Sequence, residues 1–248
     1  MHTAPPTADT TLAVTLAIET SNPSATADVS ASAPGVAIAR GPVLLGIEPI
    51  HPQARHDDAL MPAIDRLARK LGIQPRSIQR IAVSTGPGGF SGLRIAIAAA
   101  KMIAEATGAR CIAVPSARVV AARVQHDGRP FAVVLNSKGE SAHYALFDPD
   151  GRPTDRQGDL DASMLSCLAA GRLIADQFLP RSIAAEAERL GMTIERPVFD
   201  AAACLECSWA LPEIDPAELL PFYAREPEAV TKWRLRESLD KPKASPPA

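Results

Sequence analysis

Several features that identify common classes of protein are scarce in this chain. Its 248 residues include four cysteines and 4% aromatic residues, and 26 basic residues against 28 acidic ones leave a formal net charge of -2. So few cysteines do not build the disulfide framework of a small secreted domain, and reduced thiols are expected. A nearly neutral chain has no excess of Lys and Arg with which to grip nucleic acid unaided. If RNA is bound, a partner is expected to supply much of the contact.

Long apolar runs are also missing. No stretch approaches the length of a membrane span, and the first residues, MHTAPPTADT, contain neither a basic nor an apolar signal region. A cytoplasmic protein with no membrane partner is therefore expected. The 46% of hydrophobic residues can bury one large core or two modest ones. Residues 1–10 and 241–248 are poor in apolar side chains and are interpreted as flexible tails.

The first half of the chain alternates short apolar runs with helical patterns. Residues 12–18 (LAVTLAI) predict a buried strand, and 35–39 predict a weaker one. Apolar residues spaced by three and four predict an amphipathic helix that Asp57 and Asp58 cap and that ends at Leu71.

A strand, helix and strand follow at 81–85, 91–107 and 111–114, with Gly108 closing the helix. Such units form parallel sheets through right-handed crossovers. The second half predicts a helix at 116–125 and a hairpin of 131–135 with 142–147. Further helices are expected at 162–170, 182–190 and 216–224.

The segment IAVSTGPGGFSGLRIAIAAAK, residues 81–101, carries the densest cluster of glycines. It lacks the Gly-Lys-Ser/Thr of a phosphate-binding Walker loop, the spacing of a dinucleotide fingerprint and the final Gly of a hydrolase nucleophile elbow. A nucleophilic Ser91 is therefore disfavoured, and no catalytic residue is assigned. The residues of this glycine-rich turn are Gly86, Pro87, Gly88, Gly89, Ser91, Gly92 and Arg94.

The helix after this turn is apolar around almost its whole circumference, which is typical of a helix covered on more than one side. One side is expected on the sheet, and the alanine-rich opposite side permits close approach of another helix. Either the two striped helices simply bury each other, or together they form half of a four-helix interface with a partner. The predicted interface residues are Leu60, Met61, Ile64, Leu67, Ile95, Ala98, Ala99 and Met102.

Two polar clusters admit alternative interpretations. Glu19, Thr20 and Ser21 follow the first strand, where they could face a nucleotide phosphate or satisfy backbone groups of the turn. Cys204 and Cys207 have the spacing of a metal or redox pair, but no second pair and no nearby histidine accompany them. No metal site is predicted.

The motifs LAIETS, HDDALMPAIDRLARKLGI and IAVSTGPGGFSGLRIAIAAAK, in this order and spacing, resemble the TsaB (YeaZ) family of tRNA threonylcarbamoyladenosine synthesis. The closing LLPFYAREPEAV resembles that family's Pro-x-Tyr-x-Arg ending. The resemblance implies an α/β fold of the actin, Hsp70 and sugar-kinase superfamily, with two related domains of mixed sheets and flanking helices. Domains are expected at 11–115 and 116–211, with residues 212–240 packing back on the first.

The same resemblance implies a noncatalytic subunit that works with the catalytic paralogue TsaD and the ATPase TsaE on tRNA. Family members of this type bind the paralogue, or a second copy of themselves, through a helix bundle. ATP and metal are then expected on the partners and not on this chain alone. In agreement, residues 113–124 contain no histidine where the paralogue carries a metal-binding His-x-x-x-His pair. The alternatives are an active ATP-dependent enzyme of this superfamily or a metallopeptidase-like protein.

Glu19 and the triplet Asn136-Ser137-Lys138 depart from the family pattern of Asp and Asp-Ala-Arg at these points.

Overall fold

Two five-stranded sheets organise the part of the chain that the computed structural model describes, residues 13–21, 34–50, 56–224 and 233. The first sheet has the order β3-β2-β1-β4-β5. Its strands are β1 (Val14–Glu19), β2 (Gly35–Arg40), β3 (Val43–Pro49), β4 (Ile78–Gly86) and β5 (Arg110–Pro115). Strands β1, β4 and β5 are parallel, whereas β2 and β3 pair antiparallel.

Helices cover both faces of the first sheet, which explains why β1 is a continuous buried apolar run and not an alternating one. On one face, Leu16 and Ile18 pack toward α1 (His56–Leu71) and α2 (Phe90–Thr107). On the other face, Ala17 packs with further alanines against α5 (Ala201–Ser208). Large side chains on one face and alanines on the other allow α5 to approach the sheet closely.

The second sheet has the order β10-β9-β6-β7-β8. Its strands are β6 (Phe131–Lys138), β7 (Ser141–Phe147), β8 (Pro153–Leu160), β9 (Arg172–Ala175) and β10 (Thr193–Glu195). Helix α4 (Arg181–Arg189) covers one face together with a single 3₁₀ segment, Ala162–Cys167. The predicted hairpin is present as β6 and β7, and the predicted helix at 182–190 is present as α4.

A short helix, α3 (Ser116–Ala121), joins the two halves. Its Val119 is fully buried between the first sheet and α5, whereas the adjacent Val120 is fully buried against the second sheet. Consecutive residues of one helix therefore belong to the cores of both halves. After α5 the chain returns along β5, where Ile214 and Cys111 form an antiparallel bridge, and residues 220–224 reach the glycine-rich turn.

Several predicted elements are wrong or shorter than expected. The helix predicted at 116–125 ends at Ala121, the one at 162–170 is the 3₁₀ segment, and the one at 216–224 is a single 3₁₀ turn, Pro216–Glu218, followed by extended chain. Strands β3, β8, β9 and β10 and helix α5 were not predicted. Strand β8 has a polar, mostly exposed sequence, so no apolar period marks it.

The predicted domain limits stay a prediction, and the position of helix α5 bears on them. Helix α5 lies in the range 116–211 predicted for the second domain, yet it packs on strands of the first sheet. Of the segment 212–240, Ala217 and Tyr223 accept hydrogen bonds from Lys101 and Arg94 of α2, and residues 225–232 and 234–240 lie outside the described residues. The predicted tails lie outside them as well. Among the described helices, none combines the length and apolar character needed to cross a membrane.

Candidate functional site

The glycine-rich turn lies between β4 and α2, with its backbone packed against the end of β1. The amide of Gly89 donates to the carbonyl oxygen of Ser21 at 2.6 Å. A side chain on Gly88 would overlap that same carbonyl, so only glycine allows this approach. Gly86 has φ +108, and a Cβ there would lie 2.6 Å from the carbonyl oxygen of Phe222. The turn is therefore wedged between two other segments of the chain.

Glu19, Thr20 and Ser21 are fully or almost fully buried beside this turn. The Thr20 hydroxyl donates to the carbonyl of Gly92 at 3.3 Å. One carboxylate oxygen of Glu19 accepts bonds from both the amide and the hydroxyl of Ser21, each at 2.7 Å. These side chains make contacts within the chain, and the proposal that they face a nucleotide stays a prediction.

Glu19 is an unusual carboxyl group. Burial raises its pKa above the ordinary value of 4.5, and this outweighs the opposing effect of the Ser21 and Ser84 hydrogen-bonding groups. Its second carboxylate oxygen has no hydrogen-bond partner of good geometry among the described residues. Ser84 in turn shares a 2.7 Å hydrogen bond with Ser116, whose hydroxyl accepts from the amide of Gly86 at 3.0 Å. A buried polar row thus runs from the end of β1 to the glycine-rich turn.

The predicted interface residues fall into two groups. Leu60, Ile64, Leu67 and Ala99 are buried in the core between the helices and the first sheet, and Ile95 is half-buried against it. Met61, Ala98 and Met102 are exposed, with Met102 at 61% exposure. Helices α1 and α2 also contact each other. Any partner that binds these helices would therefore meet the exposed group, while the buried group supports it from within.

An aromatic cluster at the start of α2 extends this exposed surface. The guanidinium carbon of Arg94 lies 3.6 Å from the ring centre of Phe90, and Arg94 Nε donates to the hydroxyl of Tyr223 at 2.9 Å. Tyr223 of the Pro-x-Tyr-x-Arg ending therefore contacts α2 of the first half, and Arg225 of that ending lies outside the described residues. Phe90 was missed, although it stands 43% exposed in a chain with few aromatic residues. Ser91 is exposed in the first turn of the helix, and Gly89 occupies the N-cap position.

A cavity of about 240 Å³ separates the carboxyl ends of β4 and β5 from the second sheet. Most of its wall is apolar, and the polar side chains of Thr85, His143 and Gln157 contribute the rest. Phe222 forms part of this wall. The cavity is thus lined by both halves of the chain and by the segment that follows α5. Its lining residues are Thr85, Gly86, Pro87, Pro115, Ala117, Val133, Leu135, His143, Ala145, Gln157 and Phe222.

The two cysteines of α5 have separate surroundings. Cys204 donates to the carbonyl of Ile18 at 3.7 Å, whereas Cys207 donates to the carbonyl of Arg118 at 3.4 Å. Burial raises the pKa of Cys207 to about 11 and that of Cys204 well above its ordinary value. Both thiols are thus disfavoured as thiolates. Within the described ranges, no three His, Cys, Asp or Glu side chains are grouped to hold a metal ion.

Two mixed sheets with flanking helices, joined across a cleft, give the fold class that the sequence predicted, that of actin, Hsp70 and the sugar kinases. A crystal structure of a Pseudomonas aeruginosa protein similar to peptidase YeaZ superposes with a TM-score of 0.66 at 20% identity, over 86% of this chain and 100% of that chain. YeaZ from Pseudomonas aeruginosa gives 0.61 at 20% identity, over 85% and 99%. The predicted fold class is confirmed.

The family model described as TsaD, tRNA N6-adenosine threonylcarbamoyltransferase, matches residues 38–187, and the chain belongs to this family. The Bacillus subtilis (strain 168) protein described as tRNA threonylcarbamoyladenosine biosynthesis protein TsaB is 29% identical over 113 residues. That match covers 46% of this chain and about half, 49%, of the relative. The TsaB (YeaZ) resemblance read from the sequence is thereby confirmed.

Proposed function

We propose that this chain is a noncatalytic, activating subunit of the complex that installs the threonylcarbamoyl group on the adenosine beside the anticodon of tRNA. Its direct partner would be a TsaD-type catalytic protein, with a TsaE-type ATPase in the same assembly. ATP and metal would be held by those partners, and tRNA would be contacted through the complex. The named relative and the family model both support this pathway.

The observation that carries the proposal is a group of exposed apolar side chains on the two contacting helices α1 and α2, which we call the strip. Met61 and Met102 are 46% and 61% exposed, and Phe90 at the start of α2 is 43% exposed. Methionine side chains are flexible and polarisable, and they suit a surface that packs against another helix pair. Around them, Leu60 and Ala99 fix both helices on the first sheet, so the strip is held rigidly for a partner.

The decisive experiment is threonylcarbamoyl transfer to tRNA by the matching TsaD-type and TsaE-type proteins, with this chain omitted, added or added as a variant. We expect transfer to depend on this chain and to be lost by at least tenfold in the Met61→Glu/Met102→Glu double variant. Met164→Glu is the matched control, because Met164 is similarly exposed at 42% but lies in the second half, in the 3₁₀ segment.

Three outcomes contradict the proposal. If threonylcarbamoyl transfer proceeds equally well without this chain, its resemblance to TsaB reflects common ancestry and not a shared function. An equal loss of threonylcarbamoyl transfer in the Met164→Glu control would show that the exposed residues of α1 and α2 have no specific role. ATP turnover by the purified chain alone would favour the alternative of an active enzyme, for which the cavity between the two halves is the place to search.

The same strip could instead join two copies of this chain. Sedimentation of the purified protein with and without the TsaD-type partner separates the two assemblies. We expect the partner to displace the homodimer, since both would use Met61 and Met102.

A further inference from the structure

The segment that follows α5 ends at a position where it touches both halves of the molecule. The amide of Phe222 donates to the carbonyl of Thr85, at the end of β4, at 2.7 Å. On the other side, the Phe222 ring meets the ring of His143 on β7 edge-on, with 5.4 Å between the ring centres. A single residue therefore bridges the first sheet and the second sheet.

Phe222 also forms the wall of the cavity between the two halves. It lines the cavity and is 44% exposed. The carbonyl group of Phe222 lies against Gly86, and a side chain at position 86 would displace that carbonyl. The remaining wall is built by residues of strands β4 to β8, by Pro87 of the glycine-rich turn and by Ala117 of α3, which belong to the two folded halves. Phe222 is thus the part of the wall that comes from the extended segment.

The next residue attaches this segment to α2. The Tyr223 hydroxyl accepts the 2.9 Å hydrogen bond from Arg94, and its ring lies 5.0 Å from that of Phe90. These contacts are exposed, in contrast to the buried contacts of the neighbouring strands. Among the described residues, this extended segment is held by one backbone bond, two ring contacts and an exposed side-chain hydrogen bond, so it opens at a lower free energy than the sheets beside it.

We propose that residues 220–224 form a clasp whose Phe222 restricts access to the cavity between the two halves, with Tyr223 and Arg94 as its fastening. Release at Tyr223 widens the entrance for small molecules. The lining is mainly apolar, so the cavity takes a small, mainly apolar molecule. This inference is independent of the proposed function.

The test measures clasp opening and cavity access separately in the full-length protein. Amide exchange of Phe222, followed by NMR, reports opening, because that amide is bonded to Thr85 only when the clasp is closed. Toluene is the probe for access, read from the methyl signals of Val133 and Leu135 in the cavity wall. Tyr223→Phe removes the fastening hydrogen bond without altering the cavity, and Tyr144→Phe on the second sheet is the matched control.

For Tyr223→Phe we expect Phe222 exchange to rise about three- to tenfold, as for the loss of one hydrogen bond. The apparent affinity for toluene should rise by up to the same factor, because a ligand that prefers the open clasp gains in proportion to the population of that state. Adding Ala145→Leu, which fills the cavity, should abolish the gain in toluene binding and leave the faster exchange unchanged.

Faster exchange without a gain in toluene affinity would overturn the clasp as a gate. Unchanged exchange would overturn Tyr223 as its fastening. A second comparison checks the ring itself, since Phe222→Ala should increase toluene binding and Phe178→Ala, which removes an exposed ring of the second half, should not. Equal effects of the two phenylalanine variants would overturn the proposal.

Discussion

Asp200 shows how one buried side chain can organise its surroundings. Its side chain is 2% exposed, and one oxygen accepts from the amide of Ala203 at 2.6 Å, which caps α5. Both oxygens also accept from Arg123, which in turn makes two bonds to Glu206 on the same helix. The carboxylates beside Arg123 raise its pKa still further and keep it charged. This network fastens α5 to the loop after α3.

Replacing Asp200 with alanine should lower the free energy of unfolding by roughly 2–4 kcal/mol. The change removes the helix cap and leaves the partly buried guanidinium of Arg123 with one carboxylate fewer. Chemical denaturation measures the loss, and Asp200→Asn, which retains a cap acceptor, should lose less. Equal losses for the two variants would mean that the cap contributes nothing.

Glu19 gives a prediction about pH. Below its ordinary pKa of 4.5 the folded and unfolded states both hold the proton. As the pH rises past that value the unfolded state releases it while the folded state keeps it, so the free energy of unfolding falls until the raised folded pKa is passed. Glu19→Gln keeps an acceptor for Ser21 and is neutral, so its stability relative to the natural chain should increase with pH above 4.5.

Denaturant titrations from pH 4 to 8 test this, with the exposed Glu188→Gln as the control. A constant difference between Glu19→Gln and the natural chain over that range would show that Glu19 ionises normally in the folded protein.

Helix α2 combines two roles that its composition alone does not separate. Its buried residues include Ala96, Ala99 and Ala100 against the first sheet, whereas Ala98 and Met102 are exposed. An alanine-rich helix of this kind allows close packing on one side and leaves a shallow surface on the other. Neighbouring residues of α2 therefore report on different properties: Ala99 reports on folding, and Ala98 or Met102 reports on association.

Ala99→Arg should destabilise the fold by at least about 3 kcal/mol, since it places an unpaired charge in the core. Met102→Arg should change stability by less than about 0.5 kcal/mol, because the site is exposed. Its effect should appear instead as weaker association with the TsaD-type protein or with a second copy, measured by sedimentation. Normal folding of Ala99→Arg with lost association would mean that position 99 faces the partner.

In the whole molecule, helix α3 connects the cores of the two sheets, because it contributes a residue to each. Val119 and Val120 belong to different clusters, and the second cluster contains Phe131 and Phe147 stacked with 5.3 Å between ring centres. A shared helix with both faces buried favours cooperative unfolding of the two halves. The clasp at Phe222 adds a second connection between them.

Phe147→Ala should lower stability by roughly 3–5 kcal/mol and should do so for both halves together. Trp209 contacts Arg80 of the first sheet, at 5.2 Å from its ring centre, so its fluorescence reports the first half. In a Trp233→Phe background, the Trp209 transition should shift to lower denaturant by the same amount as the far-UV circular dichroism. A shift in circular dichroism alone would show that the halves unfold independently.

Much of the fold was predictable because its signals are local. The apolar runs of β1, β4, β5 and β6, the amphipathic period of α1 and the Gly108 cap of α2 were all read from neighbouring residues. Gly108 does adopt the left-handed conformation, with φ +77. Among the elements that were missed, β9 and β10 are short, β8 is polar and α5 is alanine-rich, and their structure depends on partners distant in sequence. Strand β3, VLLGIEP, is apolar and was missed all the same.

The candidate site was likewise predictable only in part. The family, the parallel core of the first half and the glycine-rich turn were predictable from the sequence, because each rests on the order and type of adjacent residues. The burial of Glu19, the buried position of Ala99 beside the exposed Met102, and the bridge that Phe222 makes between the two halves follow from the tertiary structure. These properties arise from contacts between segments far apart in the chain, such as the 2.7 Å bond between Phe222 and Thr85, and no local pattern records which segments will meet.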